Sequence, residues 1–65
     1  YGETIIAFLT RIRMEKAAEL MKDPDKKLET ISFLVGYDDY NYFSRVFRKK
    51  MGCSPRDYRN NLAQL

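Results

Sequence analysis

Hydrophobic residues recur mostly at three- and four-residue steps along the first third of the chain, and this spacing predicts a long amphipathic helix. Thr4 suits the N-cap position, because its hydroxyl can accept a hydrogen bond from a backbone N–H that has no partner within the helix. Pro24 ends the helix, since the residue before a proline is pushed out of the helical region. We therefore predict a helix over residues 4–22. Its apolar face comprises Ile5, Phe8, Leu9, Ile12, Ala17, Leu20 and Met21.

A polar loop at residues 23–27 leads into a short second helix. Its hydrophobic positions are again three and four residues apart. Gly36 ends this helix, because glycine adopts the left-handed cap conformation without a steric penalty. The positions that define the short helix are Leu28, Ile31 and Val35.

Two later helices have clear start signals. Asp39 suits the N-cap of a helix at residues 40–50, which Gly52 ends. Ser54, followed by proline at the first helical position, begins a last helix at about residues 55–64. Four helices without any strand pattern predict an all-α unit. The inward-facing residues of the two later helices are Phe43, Val46, Phe47, Tyr58 and Leu62.

The length of the chain allows one domain at most, and its charge is unevenly distributed. The chain has 65 residues, 45% of them hydrophobic, and a net charge of +3. Residues 1–35 contain six basic and six acidic residues, whereas residues 36–65 contain six basic and three acidic ones. The excess in the second half indicates either a polyanionic partner or an ordinary solvated basic surface.

Several classes of protein are disfavoured by what the chain lacks. With no histidine and the single Cys53, neither a disulfide framework nor a zinc site of ordinary ligands is expected. No catalytic nucleophile with a base and no glycine-rich phosphate loop is present, so we expect neither an enzyme nor a cofactor. No apolar run approaches the ~20 residues that span a bilayer. The single cysteine fits a reducing compartment, and we expect a cytoplasmic protein.

Residues 28–50 together follow the plan of a helix-turn-helix motif: a short helix, a glycine-centred turn and a second helix. Ser32, four residues before Gly36, is small enough to let the two helices approach closely. The positions opposite the phenylalanine stripe then form the outer face of the second helix. These positions are Tyr40, Asn41, Ser44, Arg45 and Arg48.

The residue types on this outer face are those that read DNA. Asparagine can pair with adenine and arginine with guanine, while serine and tyrosine can contact bases or phosphates. The outer face therefore suits a helix that reads bases in a DNA groove. Arg48, Lys49 and Lys50 are predicted to contact phosphates, and they also suit the negative end of the helix dipole. The alternative is a helical hairpin with a solvated face.

These residues resemble the signature of the AraC/XylS family of bacterial transcription regulators. The resemblance rests on the ordered run from Ile31 to Tyr37, on Asp39, on Tyr42 to Lys49, and on the closing positions Gly52, Ser54, Pro55, Tyr58 and Arg59. In the first helix, Leu9, Ile12, Arg13, Ala17 and Leu20 resemble the linker helix of the family. The match covers nearly the whole chain.

The resemblance implies a DNA-binding domain with two homeodomain-like helix-turn-helix subdomains joined by a long helix. It maps the second recognition helix onto residues 39–50, and its base-reading positions onto Tyr40, Asn41, Ser44 and Arg45. Residues 1–65 would then form part of that domain: the linker helix at 4–22, the second helix-turn-helix at 28–50 and the closing helix at 55–64. We expect most of the first subdomain to lie upstream. A weak internal echo at a shift of 50 residues agrees, since Gly2, Thr4, Phe8 and Ile12 align with Gly52, Ser54, Tyr58 and Leu62.

The resemblance also implies binding partners, and the chain departs from the family pattern at two positions. It implies double-stranded DNA as the ligand, RNA polymerase as a candidate partner, and a separate N-terminal sensing or dimerisation domain. The family often has proline where Tyr40 stands and a capping residue where Lys27 stands. The bulky Tyr40 alters the mouth of the reading face, and Lys27 weakens the start of the short helix.

A protein-interaction module is the competing interpretation. Phe33 and Leu34 are hydrophobic at positions where the short helix should face outward, so they could bind a protein partner. We expect instead that both side chains pack against the linker helix.

Overall fold

The computed structural model describes residues 2–64, which form four helices and no strand. The helices are α1 (Ile5–Leu20), α2 (Leu28–Leu34), α3 (Tyr40–Met51) and α4 (Pro55–Ala63). The predicted all-α class and the number of helices are confirmed. No helix within the described residues has both the length and the apolar character needed to cross a membrane.

Local capping sets three of the helix starts. The Thr4 hydroxyl accepts from the N–H of Ala7 at 3.0 Å, and the Ser54 hydroxyl accepts from the N–H of Asp57 at 3.1 Å. The Asp39 carboxylate accepts from the N–H of Asn41 at 2.9 Å. Lys27 occupies the same position before α2 and makes no side-chain cap bond. The helix starts therefore follow the capping residues, except at α2, where tertiary packing must supply the stability.

The turn between α2 and α3 has the geometry that its glycine predicts. Gly36 has a φ of +106°, a conformation that favours glycine over residues with a side chain. Its N–H donates to the Phe33 carbonyl at 3.0 Å, and the Tyr37 N–H donates to the Ser32 carbonyl at 2.9 Å. The buried Ser32 hydroxyl donates to the Tyr37 carbonyl at 3.1 Å. Ser32 therefore fixes the corner as well as keeping the helices close.

The core lies where α1, α2 and α3 meet. Phe43 and Phe47 are fully buried and pack 5.8 Å apart between ring centroids. Tyr58 of α4 meets Phe47 edge-on at 5.5 Å, which attaches the last helix to the others. The other buried hydrophobic residues of this core are Met14, Ala17, Met21, Ile31 and Val35.

The first half of α1 departs from the prediction. Its apolar residues are exposed, with Ile5 at 79% and Phe8 at 45% accessible, and Leu9 and Ile12 are similar. The buried residues of the helix all lie in its second half, from Met14 onward. Hydrophobic spacing identifies the apolar side of a helix, but it does not identify which part of that side is buried against another helix.

The end of α1 and the exposed part of α2 also differ from expectation. α1 ends at Leu20 rather than at residue 22. Arg59 of α4 donates to the Met21 carbonyl at 3.3 Å and to the Asp23 carbonyl at 3.2 Å, groups that the helix itself cannot satisfy. Phe33 and Leu34 do not pack on α1, because they are 67% and 55% exposed. The predicted packing of these two residues is wrong.

Candidate nucleic-acid interface

Helix α3 is held so that one side is buried and the opposite side faces solvent. Phe43 and Phe47 are one helical turn apart and both point into the core. Asp39 begins the helix and Gly52 ends it in the left-handed conformation, with a φ of +88°. The buried stripe therefore fixes the rotation of α3 about its axis, and with it the set of residues on the outer side.

Most of the predicted reading residues lie on this outer side. Asn41, Arg45, Arg48 and Lys49 are exposed, and Ser44 is half-buried at the edge. Asn41 is followed by two adjacent pairs, residues 44–45 and 48–49, so the set recurs at three- and four-residue steps over about two turns of helix. The structure thus brings together an amide, a hydroxyl and three cations on one exposed strip of α3.

Tyr40 does not belong to the exposed strip as predicted. It is half-buried and packs against the core, with its ring centroid 6.1 Å from that of Phe43. Burial raises the pKa of the Tyr40 hydroxyl, and the charge of Glu29 raises it further. Tyr40 precedes Phe43 by three residues, so the two share a side of the helix. The prediction counted Tyr40 with its neighbour Asn41, which lies farther round the helix.

Lys50 is exposed but lies apart from the other predicted phosphate-binding residues. It lines a surface pocket with Glu3, Arg11 and Met51, beside the start of α1. The hydrogen bond from Arg11 is the largest cause that lowers the pKa of Glu3, and the charge of Lys50 lowers it further. Lys50 therefore interacts with Glu3, just before α1, as well as facing solvent.

Sequence reasoning missed Tyr42. This side chain is 51% exposed, and the guanidinium of Arg45 lies over its ring, 5.8 Å from the centroid. Tyr42 and Arg45 are three residues apart, the spacing of neighbours on a helix surface. This spacing is the signal in the sequence that points to Tyr42, which is otherwise only part of the family signature.

The cations on the outer strip of α3 have no acidic partner within the described residues. Among residues 2–64, the ion pairs join Arg11 to Glu3 and Glu15, and Lys22 to Glu19. All of them involve α1 or the residues that flank it. The positive charges of Arg45, Arg48 and Lys49 are therefore available to a polyanion.

This geometry defines the class of protein: a helix-turn-helix unit that presents a basic, polar second helix, as DNA-binding domains do. Comparison with known proteins gives the family. A model described as a helix-turn-helix domain matches residues 1–61. The chain belongs to the AraC-type helix-turn-helix family. No solved structure matches it.

Relatives of the chain are bacterial regulators. It is 40% identical over 63 residues to the MmsAB operon regulatory protein of Pseudomonas aeruginosa, covering 97% of this chain and 20% of that protein. It is 39% identical over 57 residues to the transcriptional activator RhaR of Mannheimia succiniciproducens, covering 88% and 21%. The activator RhaS of Klebsiella pneumoniae is 40% identical over 58 residues, covering 89% and 21%. The chain thus spans about a fifth of the length of these relatives.

Proposed function

We propose that the chain is the DNA-reading part of a transcription regulator and that α3 lies in the major groove. In this arrangement Asn41, Ser44 and Arg45 face the bases, while Arg48 and Lys49 face phosphates. The observation that carries the proposal is the strip of cations opposite Phe43 and Phe47; these cations have no acidic partner among residues 2–64. The major groove is about 12 Å wide and admits a helix of this kind.

Tyr40 and Lys50 belong to the periphery of the proposed interface. Tyr40 packs on the core, so only its hydroxyl end is left to reach the groove edge. Lys50 lies beside Glu3, and it contacts a phosphate only where the DNA backbone passes close to α1. The centre of the proposed reading surface is therefore Asn41 and Arg45, with Ser44 at its edge.

The salt dependence of binding tests this function. The charges of Arg45, Arg48 and Lys49 in the groove, with Lys50 where the backbone reaches it, would neutralise three or four phosphates. Log affinity against log salt should then have a slope of about −3, from roughly −0.9 per phosphate. Because one recognition helix makes few contacts, the affinity of the chain alone should be near about 10⁻⁴–10⁻⁶ M. Lys49→Ala should weaken binding to all duplexes alike and flatten the slope by about one unit. Titrations at several salt concentrations measure both, and a slope near zero would contradict groove binding.

A protein-interaction module remains a second candidate, because Phe33 and Leu34 are exposed side by side. Binding through an apolar surface changes little with salt, whereas phosphate contacts weaken steeply. The same titration therefore separates the two functions. We propose that in a complete regulator this pair is available to a protein partner, with RNA polymerase as the candidate that the family resemblance implies.

The setting of the chain follows from the same proposal. Bacterial DNA lies in the cytoplasm, so we place the regulator there. The resemblance also implies an N-terminal sensing or dimerisation domain in a complete regulator. That domain would determine the signal and the oligomeric state, while the residues described above would supply the contact with DNA.

The exposed half of α1 is proposed to pack against another helical unit in a longer protein. Its contiguous apolar residues would otherwise remain in water, which is unfavourable. The unit that fits is the first helix-turn-helix subdomain, which the family resemblance implies. Hydroxyl-radical footprinting should find Phe8 and Leu9 reactive in the 65-residue chain and protected in a longer regulator that contains it. Equal reactivity in the two proteins would contradict this packing.

A further inference from the structure

Four side chains in successive contact, here called the stack although its two rings are tilted by 43°, connect α1 to the outer strip of α3. The guanidinium of Arg13 lies over the ring of Tyr37 at 5.5 Å from its centroid. The rings of Tyr37 and Tyr42 are 5.8 Å apart, and Arg45 lies over Tyr42 at 5.8 Å. Each distance is within the range in which cation–ring and ring–ring contacts are attractive. The stack therefore ends at a proposed base-reading residue.

The Tyr37 ring is the fixed member of this stack. It is half-buried against the core, and its centroid lies 5.6 Å from that of buried Phe43. Its backbone is held from both sides, since its N–H donates to the Ser32 carbonyl and its carbonyl accepts from the Ser32 hydroxyl. Tyr42 packs on this ring, so an exposed tyrosine on α3 is tied to the core through one neighbour.

Arg45 gains an orientation from this arrangement. An exposed arginine samples many rotamers, and binding a base must restrict them. A guanidinium donates from its edges and stacks through its faces, so contact with a ring leaves its donors available for guanine. A ring beside Arg45 therefore restricts the side chain before DNA arrives without using the groups that read the base.

We propose that Tyr42 is a positioning residue for Arg45. The Tyr42 ring is anchored to the core through Tyr37, and the Arg45 guanidinium is held against it. The proposal rests on the proposed function, because it assigns Tyr42 a role in base reading by Arg45. A solvated tyrosine without a role would leave the behaviour of Arg45 unchanged when removed.

The first measurement uses the free chain and needs no DNA. NMR of the Arg45 side-chain Nε–H group reports both its rigidity and the shielding by a neighbouring ring. Tyr42→Ala should move this signal toward that of a freely rotating arginine, while Tyr42→Phe should preserve it because the ring remains. Tyr42→Leu keeps the bulk without the aromatic ring and should behave like Tyr42→Ala. The backbone amide spectrum of each variant shows whether the fold is intact.

The second measurement compares binding to a duplex selected by the chain from a randomised pool and to a scrambled duplex. Tyr42→Ala should lower the ratio of the two affinities roughly two- to fivefold, the range for an exposed cation–ring contact. Tyr42→Phe should restore the ratio. In the Arg45→Ala background, Tyr42→Ala should have no further effect on it.

The two proposals fail in different ways. If Tyr42→Ala leaves the Arg45 signal unchanged in a folded chain, the positioning role is overturned while base reading by Arg45 stands. If the Arg45 signal changes but the ratio of the two affinities does not, the contact between Tyr42 and Arg45 exists without contributing to base reading. That outcome also overturns the inference. If Arg45→Ala itself leaves discrimination unchanged, base reading by Arg45 fails, and the positioning role fails with it.

Discussion

Phe47→Ala should leave the chain unfolded at room temperature. The Phe47 side chain is fully buried, and it contacts the ring of Phe43 in α3 and that of Tyr58 in α4. Deleting a buried aromatic side chain costs about 3–5 kcal/mol. A domain of this size has about 3–5 kcal/mol of stability in total, so the loss is comparable with the whole. Thermal denaturation followed by far-ultraviolet circular dichroism measures the effect.

Phe33→Ala is the matched control for this experiment. It removes the same side chain from a helix position that is 67% exposed, and exposed substitutions usually change stability by less than about 0.5 kcal/mol. The control variant should therefore melt close to the parent chain. A cooperative transition of Phe47→Ala near the parent temperature would show that Phe47 does not belong to the core.

Arg45→Ala should reduce discrimination between DNA sequences by about 1–3 kcal/mol, the value of one good bidentate contact to a base. Arg45 lies at the centre of the exposed strip, opposite the buried phenylalanines, and carries no ion pair in the described part of the chain. Its guanidinium is therefore available to guanine O6 and N7. Affinities for the selected and scrambled duplexes at one salt concentration give the discrimination directly.

Lys49→Ala provides the comparison for Arg45→Ala, since both remove one positive charge from the same exposed strip. A phosphate contact carries no sequence information, so Lys49→Ala should weaken both duplexes equally. An equal loss on both duplexes for Arg45→Ala as well would identify Arg45 as a phosphate contact. The assignment of the reading residues would then be wrong.

Some features of the fold could be predicted because their causes lie within a few residues. Thr4, Asp39 and Ser54 cap the first unpaired N–H groups of their own helices, and the conformational freedom of Gly36 allows the turn. The phenylalanine stripe of α3 was predictable for a related reason. Two large apolar side chains four residues apart share a side of a helix, and burying that side fixes the outer strip.

The exposure of the α3 side chains was predictable at the centre of the outer strip and not at its edges. Asn41 and Arg45 lie opposite the buried stripe, so they stay exposed even if the helix is rotated slightly about its axis. Tyr40 and Lys50 lie closer to the buried side, and their surroundings come from other helices. Residues Glu29, Arg56 and Arg59 are close enough to Tyr40 to influence its pKa, whereas Lys50 lies beside Glu3.

Local sequence patterns were enough to predict the four helices, the glycine turn and the side of α3 that carries Asn41 and Arg45. The packing of the helices set three further features: the exposure of the apolar residues at the start of α1, the bonds from Arg59 to the carbonyls after α1, and the contacts that join Arg13, Tyr37, Tyr42 and Arg45. The difference lies in the range of the interactions. Capping and periodicity act within one or two turns of a helix, whereas coverage and stacking depend on side chains that meet only when the helices pack.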